Sequence, residues 1–470
     1  ISRCIVNKSN SGSPFFHWQY GISMAHGQFI WIAESDDWCD NDFLEKLLPS
    51  FMNEAVMLSF GRSVFMKNDK QIWSIEEYLH DLDKSFFTHP FEMASNECVK
   101  KFFSKKNIIP NVSSCVFRKP MDSAAFDIKG WNEMKVCGDW LFYLQLINGG
   151  YISYNPKAKN YYRQHNSNTS VNLHQRDIYY HEHQKVREFL ASHFNLNKKE
   201  LDWIKEDKRN FWKQNRKDYD QNKFEQIFDD ETINLKRKER LPKIAIRTYA
   251  FSTGGAEKVP IDMANALKQM GYGVTFIDAG GEPRNEKIRN KLRSDIPLIS
   301  LGWCFFQLPI LLKQLGVEVI HTHHTSVDYC TSEQLSSKDI KQVVTLHGMY
   351  ETVKPKYLAT QIPYMAKRVK KWFYIADKNT PIMLKYGVEK ENLFKIFNAV
   401  PDIPPSKTRE EVLQDCGFEA NCFLIAISSR ALPTKGWKLA YDSIKHVRRE
   451  TQRDICIVFL GNGECYDQMK

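Results

Sequence analysis

Acidic residues follow an apolar segment near the start of the 470-residue sequence. Glu34, Asp36 and Asp37 come directly after GQFIWIA, which has the composition of a buried strand. Side chains leave the sheet at the end of a strand, and carboxylate oxygens are the ligands that Mg²⁺ and Mn²⁺ prefer. The segment therefore predicts a divalent-metal site that holds a diphosphate. The alternative is that Asp37 or Asp40 caps the helix that follows.

A glycine turn in the second half of the sequence could bind an anion or a sugar. Ser252, Thr253, Gly254 and Gly255 lie between strand-like KIAIRTY and helix-like VPIDMANALKQMGYG. Glycine allows a tight turn, and the first N–H groups of a helix have no partner within that helix. The G-x-G-x-x-G pattern of dinucleotide-binding folds is missing here, so NAD binding is not favoured.

Three histidines end another strand-like segment, VEVIHTHH. His321, His323 and His324 are residue types that bind zinc. Neighbouring side chains of a strand point to opposite faces, however, so the sequence does not favour a zinc cluster here.

The elements that must position these residues fall into four parts. Residues 1–170 alternate short apolar runs with helical segments, which indicates a mixed α/β domain. Residues 171–241 lack Gly and Pro and mix both signs of charge, which favours a solvated helical connector over a nucleic-acid-binding arm. Residues 242–405 repeat βα units and residues 406–470 begin another series, with a proline-rich hinge at PDIPPSKTREE between them.

The overall composition excludes several classes of protein. An apolar share of 42% is too high for a disordered chain, and no apolar run is long enough for a membrane-spanning helix. The net charge of +10 is modest, and no nucleic-acid-reading motif accompanies it, so a nucleic-acid partner is not favoured. The 11 cysteines form no C-x-x-C pair, which favours a reduced, cytoplasmic protein.

Four segments of the first part, in order, resemble the family 2 glycosyltransferases, which have the GT-A fold. They are NSGSPFFHWQYGISMAHGQFIWIAESDD, NIIPNVSSCVFRKP, KVCGDWLFYLQLINGGYISY and NYYRQHNSNTS. The resemblance implies an inverting transferase that uses Mg or Mn. Asp36 then matches the central metal-binding aspartate and Asp37 its neighbour, while Glu34 stands where many members have Asp. Asp139 matches the general base, and His165 matches a residue near the donor diphosphate.

The first part departs from the family pattern beside the general base. Gly138 stands where many members have Glu, so Asp139 has no acidic neighbour in the sequence. Asp139 could instead, or in addition, cap the helix WLFYLQLI.

Six segments of the second half resemble the family 4 glycosyltransferases, which have the GT-B fold and retain stereochemistry. They are FSTGGAEK, HTHH, TLHG, FNAVPD, SSRALPTKG and FLGNG. The resemblance implies that Arg430 and Lys435 contact the donor diphosphate and that Gly254 and Gly255 line the cleft. It places His347 near the reacting sugar, although backbone groups at the strand end could satisfy this histidine instead. No cofactor is expected for this part.

Together the resemblances imply an α/β chain with two fused transferases, expected here as a partial GT-A domain, a helical connector and an incomplete pair of Rossmann-like GT-B domains. The opening strands of the first domain are expected before Ile1, and the E-x₇-E segment of the last is expected after Lys470. The implied partners are a nucleotide-sugar donor, such as a UDP-sugar, and a glycan or lipid-linked acceptor of cell-surface polysaccharide synthesis. The implied location is the cytoplasm, with peripheral association at the inner face of the plasma membrane. The alternative is an inactive, carbohydrate-binding fragment.

Overall fold

The computed structural model is an α/β protein that divides into two compact units, residues 1–397 and 398–470. The structure describes residues 4–6, 12–83, 85–121, 130–165, 173–249, 251, 255–280, 284–302, 306–335, 339–348, 350–399, 404–451 and 453–469. No helix among them combines the length and the apolar character that a membrane crossing requires. The domain limits inferred from the sequence at residues 170, 241 and 405 stay predictions.

The first sheet has seven strands of mixed direction. These are β1 (Phe29–Trp31), β2 (Trp38–Cys39), β3 (Val56–Lys67), β4 (Lys70–Ser74), β5 (Phe91–Ala94), β6 (Cys115–Arg118) and β7 (Tyr151–Arg163). The order is β1-β6-β3-β7-β2, with β4 beside β3 and β5 beside β7. The long central strands β3 and β7 are parallel, and β3 is buried along most of its length because both faces are covered. The short strand β2 pairs antiparallel with the end of β7. This pairing brings the acidic loop before β2 close to the segment after β7 that contains His165.

Helices cover this sheet and continue into the charged segment. The first six are α1 (Pro14–Met24), α2 (Phe43–Leu47), α3 (Ile75–Tyr78), α4 (His80–Asp83), α5 (Ser95–Cys98) and α6 (Gly138–Ile147). Four more follow: α7 (Asp177–His193), α8 (Lys198–Asn215), α9 (Gln221–Ile227) and α10 (Asp230–Lys238). Phe189 and Leu190 of α7 and Ile204 of α8 belong to the same hydrophobic core as Leu58 of β3 and Phe142 of α6.

The charges of this helical segment do not all face water, which corrects the expectation of a solvated connector. Arg187 is fully buried and donates to Asp230 at 2.7 Å, and Lys205 reaches the same carboxylate at 2.6 Å. Such pairs join α7, α8 and α10 to one another. The near balance of basic and acidic residues therefore reflects helix–helix contacts as well as a solvated face, because a buried charge requires a partner.

The second sheet is parallel throughout. Its strands are β8 (Ile244–Thr248), β9 (Val274–Asp278), β10 (Leu298–Ser300), β11 (Val319–His323), β12 (Lys341–Leu346), β13 (Lys371–Tyr374) and β14 (Leu393–Lys395), in the order β10-β9-β8-β11-β12-β13-β14. The associated helices are α11 (Gly255–Gln269), α12 (Glu286–Arg289), α13 (Leu308–Leu315), α14 (Thr325–Gln334), α15 (Pro355–Ala366) and α16 (Thr380–Lys385). Ala245 of β8 packs with α13 and its neighbour Ile246 packs with α11, so helices cover both faces. The strand order reverses between β8 and β11, where doubly wound sheets bind ligands.

The second unit contains a small parallel β-α-β arrangement. Its elements are α17 (Arg409–Asp415), β15 (Phe423–Ser428), α18 (Trp437–Glu450), β16 (Ile455–Leu460) and α19 (Tyr466–Met469). Strands β15 and β16 pair in parallel over six residues, and α18 connects them.

Within the first unit, the two sheets are docked by close backbone contacts and by ion pairs. The Thr275 hydroxyl donates to the Gly149 carbonyl at 2.6 Å, and the Glu54 carboxylate lies 2.7 Å from both Arg284 and Arg289. Gly149 has a φ of 92°, and a Cβ there would lie 2.8 Å from the carbonyl oxygen of Val274. The docking therefore requires glycine at this position.

We expect Gly149→Ala to destabilise the first unit more than Gly387→Ala does. Both glycines have φ near 90°, but a Cβ at Gly387 meets open space, so only Gly149→Ala adds a clash to the backbone strain. Overpacking of this kind costs about 1–3 kcal/mol, which should appear as a lower midpoint of thermal denaturation. Equal midpoints for the two variants would show that the sheets are not docked tightly here.

Candidate functional site

Residues that are far apart in the sequence line one cleft of about 630 Å³ in the first unit. Glu34 and Asp36 follow β1, Asp139 lies in the first turn of α6, and His165 follows β7. The structure therefore brings together four of the residues that the sequence selected for the first part of the chain. Their roles stay predictions.

Asp36 and His165 meet because β2 pairs with β7. Trp38 lies opposite Tyr161 in this pairing, and their rings stack with centroids 5.4 Å apart. Asp36 lies two residues before Trp38 and His165 lies four residues after Tyr161, and the Asp36 Oδ2 atom is 3.1 Å from the His165 Nε2 atom. Both side chains are partly exposed, so this acid–imidazole pair remains accessible to a ligand in the cleft.

Asp37 is held by amide donors and does not line the cleft. The side chain of Asn111 donates to its Oδ2 atom at 2.7 Å, and the backbone N–H of Arg163 donates to its Oδ1 atom at 3.1 Å. Burial raises the pKa of Asp37, and these hydrogen bonds oppose that effect. Helix α2 begins later, and its N-cap residue, Asp42, makes no side-chain cap. The alternative that Asp37 caps a helix is therefore wrong.

Asp139 is anchored through both carboxylate oxygens. Its Oδ1 atom accepts the backbone N–H of Trp140 at 2.7 Å, and its Oδ2 atom accepts the side-chain amide of Asn107 at 2.9 Å. The N-cap position of α6 is occupied by Cys137, so Asp139 is not the N-cap residue that the alternative required. Burial raises its pKa to about 7 although the hydrogen bonds oppose this. A carboxylate with this pKa can exchange a proton near neutral pH.

Glu34 is the second carboxyl group with a strongly raised pKa. Burial is the largest cause, and repulsion from Asp37, Asp36 and Asp139 adds to it, so the pKa of Glu34 reaches about 7. The carboxylates are thus close enough to disfavour one another's ionisation. A cation bound in the cleft would relieve this repulsion.

Two asparagines organise the acidic residues, and the sequence analysis did not single them out. Asn107 holds Asp139, and Asn111 donates to both Asp37 and Asn160 while accepting from Ser63. Both asparagines lie in NIIPNVSSCVFRKP, a segment already noted for its resemblance. The sequence therefore contained a signal for them, namely two asparagines within a segment of family resemblance. Neutral amides of this kind can orient carboxylates without neutralising them.

The charged helical segment also lines the cleft, which the sequence did not predict. Helices α7 and α8 contribute Tyr179, His183, Trp203, Asp207, Lys208 and Phe211. Trp203 is 44% exposed, and the Lys105 ammonium lies 5.7 Å from the centre of its ring. Aromatic and polar residues therefore occur together in this part of the cleft, as is common in small-molecule sites.

A second, smaller site lies at the strand-order reversal of the second sheet. His347 follows β12, and its Nε2 atom lies 3.0 Å from the Nδ1 atom of His323 at the end of β11. This contact differs from the alternative, in which backbone groups at the strand end satisfy His347. Burial lowers the pKa of His347 to about 4, so the imidazole is neutral at physiological pH. His324 has a φ of 120°, a strained conformation that often marks functional sites.

The other residues that the sequence selected in the second half lie in or beside helices and strands. Gly255 begins α11, whereas Gly254 lies outside the described residues. Arg430 follows β15 and Lys435 lies just before α18, so both flank a strand-to-helix connection of the second unit. His321 and His323 lie on one face of β11 with their rings 4.4 Å apart.

No group of three potential metal-ligating side chains occurs among the described residues. Mg²⁺ is usually held by only one or two carboxylates together with substrate phosphates and water. The donor set of the first cleft, with Asp36 exposed beside His165 and the mutually repelling Glu34 nearby, is compatible with such a cation.

Two segments of the chain match family models. Residues 3–115 match the model described as Glycosyl transferase family 2, and residues 253–399 match the model described as Glycosyltransferase Family 4. The two resemblances seen in the sequence are thereby confirmed. Asp139 and His165 follow the first matched segment, and Arg430 and Lys435 follow the second.

Similar solved structures include a glycosyltransferase from Rickettsia africae ESF-5, with 18% identity, a TM-score of 0.40 and coverage of 48% of this chain and 62% of that one. HepE of Anabaena, in complex with UDP and glucose, has 15% identity, a TM-score of 0.40 and coverage of 48% and 63%. The chain thus spans less than two thirds of the length of each. No curated protein matches it.

The raised pKa of Asp139 predicts a pH-dependent effect of Asp139→Asn on stability. The folded protein holds this proton up to about pH 7, whereas the unfolded chain releases it near the ordinary value of 3.8. The wild-type carboxyl group therefore costs stability progressively as the pH rises from about 4 to 7. We expect Asp139→Asn to become more stable relative to wild type as the pH rises over this window. The difference between their midpoints of urea denaturation should grow by an amount equivalent to about 1–3 kcal/mol.

Glu54→Gln provides a control of opposite sign. Burial tends to raise the pKa of Glu54, but hydrogen bonds from Arg289 and Arg284 outweigh it and lower the pKa. This group stabilises the protein above its unfolded pKa, and the stabilisation is lost as the pH falls through its folded pKa. Glu54→Gln should therefore be most destabilising at neutral pH. A pH-independent difference for Asp139→Asn would contradict the assignment of a raised pKa.

Proposed function

We propose that this chain, which joins a family 2 and a family 4 glycosyltransferase domain, is a bifunctional enzyme of cell-surface glycan synthesis. It transfers sugars from nucleotide-sugar donors to a growing polysaccharide or lipid-linked glycan at the cytoplasmic face of the membrane. The first domain inverts the configuration at the sugar carbon, and the second retains it.

One observation carries the proposal for the first domain: Asp36, His165, Glu34 and Asp139 line a single cleft. Glycosyl transfer needs two functions at one place, charge neutralisation at the leaving diphosphate and removal of a proton from the acceptor hydroxyl. The exposed Asp36–His165 pair serves the diphosphate. Asp139, with its pKa of about 7, serves the acceptor.

The transfer step follows from this division of roles. The acceptor oxygen attacks the anomeric carbon, and the bond between that carbon and the diphosphate oxygen breaks on the opposite side. A carboxylate oxygen of Asp139 takes the proton of the acceptor hydroxyl, and the nucleoside diphosphate leaves with the electron pair. Asn107 orients Asp139 throughout, because its amide is 2.9 Å from the Oδ2 atom.

Mg²⁺ or Mn²⁺ fits the first domain as its cofactor. Asp36 would hold the cation together with the donor phosphates, and Glu34 is close enough to interact with it electrostatically. Asp37 is the neighbouring carboxylate, and hydrogen bonds from Asn111 and the backbone of Arg163 hold it in place. When bound, a divalent cation stabilises the negative charge of the departing diphosphate.

The acceptor enters along the wall that α7 and α8 form. Trp203 and Phe211 offer flat apolar surfaces there, and Asp207 and Lys208 offer polar contacts beside them. Sugar rings present both apolar C–H faces and hydroxyl groups, so this mixture suits a glycan better than a purely apolar chain.

The second domain uses the edge of its parallel sheet. His347 and His323 lie at the strand-order reversal. The neutral imidazole of His347 can accept a hydrogen bond from a sugar hydroxyl or donate one to it. Gly255 begins α11, and the first backbone N–H groups of a helix can bind an anion or a sugar hydroxyl. In the second unit, taken by itself, Arg430 and Lys435 provide positive charge that suits a nucleotide diphosphate.

Asp36→Asn and Asp139→Asn should affect the first domain in different ways. Asp36→Asn should weaken donor binding and remove its dependence on Mn²⁺. Asp139→Asn should leave the donor affinity almost unchanged but lower turnover about 10²- to 10⁴-fold, because a positioned base acts on the transition state. The measurements are calorimetric binding of UDP-glucose and UDP-N-acetylglucosamine, and release of UDP from each, with and without Mn²⁺.

Asp40→Asn is the matched control for these variants. Asp40 lies in the same acidic segment, but it accepts a hydrogen bond from the Tyr161 hydroxyl and lines a different surface opening. It should keep wild-type binding and turnover. Wild-type activity in Asp139→Asn, or undiminished Mn²⁺ dependence in Asp36→Asn, would refute the respective role.

The double variant Arg430→Ala and Lys435→Ala should weaken the second donor site alone. Binding at the first site is already weakened in an Asp36→Asn background, so a further loss of nucleotide-sugar binding in this background reports on the second domain. Removing two positive charges beside a diphosphate should weaken that binding by about tenfold or more. Lys445→Ala with Arg449→Ala removes the same charge from the far end of α18 and should have no effect. Equal weakening by both pairs would refute a specific site.

A further inference from the structure

Gly138, directly before Asp139, has no room for a side chain. A Cβ at this position would lie 2.4 Å from the Phe15 ring and 2.5 Å from the carbonyl oxygen of Trp131. Contacts this short cannot form without displacing the backbone or the aromatic ring. Packing therefore excludes an acidic residue from position 138.

Glu182 on α7, outside the segment that matches family 2, places a negative charge near Asp139. Its Oε1 atom accepts the backbone N–H of Lys135 at 2.8 Å, and its Oε2 atom accepts those of Val136 at 2.7 Å and Cys137 at 2.9 Å. The side chain is only 2% exposed. Three consecutive amides thus converge on one buried carboxylate, and such charge-assisted hydrogen bonds are strong.

The three amides belong to the residues from which α6 begins. Cys137 is the N-cap residue, and Asp139 lies in the first turn of the helix. The N–H groups at the start of a helix lack partners within the helix, and the helix dipole favours a negative charge there. Fixing residues 135–137 fixes the point from which the Asp139 side chain enters the cleft.

We infer that Glu182 is the positioning residue for Asp139, so that the helical segment after the first domain completes its catalytic site. This inference rests on the proposed function of the cleft. Glu182 acts through the backbone N–H groups of residues 135–137, which it binds directly. A substrate-contacting role for Glu182 is not part of the inference.

Glu182 also contributes to the electrostatic environment of Asp139. Its negative charge adds to burial in raising the pKa of Asp139. Other titratable groups that interact electrostatically with Asp139 include Glu34 after β1, Tyr78 of α3, Cys115 of β6, Cys137, Tyr143 of α6 and Tyr162 of β7. His183 of α7 and Lys208 of α8 line the same cleft. Unlike Glu34, Glu182 does not line the cleft, so it can be replaced without changing a residue there.

The test compares Glu182→Gln with Glu182→Asp in the full chain. Glu182→Gln removes the charge and replaces one acceptor oxygen with a donor. We expect kcat for UDP release from the donor to fall about 10- to 100-fold, because a small displacement of the base is costly, while the donor KM changes less than about twofold. The acidic limb of the pH–rate profile should move to lower pH. Glu182→Asp keeps the charge on a shorter side chain, so it should lower kcat without moving this limb.

Glu188→Gln is the matched control on the same helix. Glu188 lies six residues further along α7 and accepts a hydrogen bond from Gln184. It should retain the wild-type kcat and pH profile. A Glu182→Gln variant with the same kcat and the same acidic limb as wild type would overturn the inference.

Hydrogen exchange provides a readout that does not require activity. The amides of residues 135–137 should exchange faster in Glu182→Gln than in wild type, with the remainder of the first unit unchanged. Unchanged exchange at these amides would overturn the inference even if turnover were low. If the wild-type protein transferred no sugar, the proposed function would be refuted even if these amides exchanged faster in Glu182→Gln. The contact would then be structural and would have no catalytic purpose.

Discussion

Several like charges have to be held close together in the first cleft, and the structure does this with neutral donors. Asn107, Asn111 and backbone N–H groups bind Asp139 and Asp37, so the carboxylates are oriented without being neutralised. Burial then raises the pKa of Asp139 and Glu34 to about 7, with the charge of Glu182 adding to the effect at Asp139 and repulsion from the neighbouring aspartates adding to it at Glu34. This arrangement costs folding energy, and it leaves the negative charge available for a cation and a proton.

The helical segment belongs to the first site as much as it connects two domains. Its helices share the hydrophobic core of the first sheet, line the cleft and supply Glu182 to the start of α6. The family 2 match ends at residue 115, before these helices. The part of the chain that lies between the two family matches therefore shapes the wall of the cleft and the start of the helix that carries Asp139.

The two sheets of the first unit are held against each other by contacts that tolerate little change. Thr275 bonds to the carbonyl of Gly149, and Glu54 pairs with two arginines of the second sheet region. The second sheet keeps its own ligand edge at the reversal between β8 and β11, where His323 and His347 meet. Docking thus joins the two domains while each retains a separate site on its own sheet.

The sequence by itself determined the α/β class, the helices of residues 177–238 and the residue types of both candidate sites. These features depend on local pattern: apolar runs, the absence of Gly and Pro, and motifs such as ESDD and TLHG. Only the tertiary structure decided that Asp36 meets His165, because this depends on the pairing of β2 with β7. It also decided that Asp37 faces Asn111, that His347 faces His323 and that Glu182 binds the loop before Asp139. Such contacts join residues 24 to 129 positions apart, and their partners are set by how strands and helices pack, which no local pattern records.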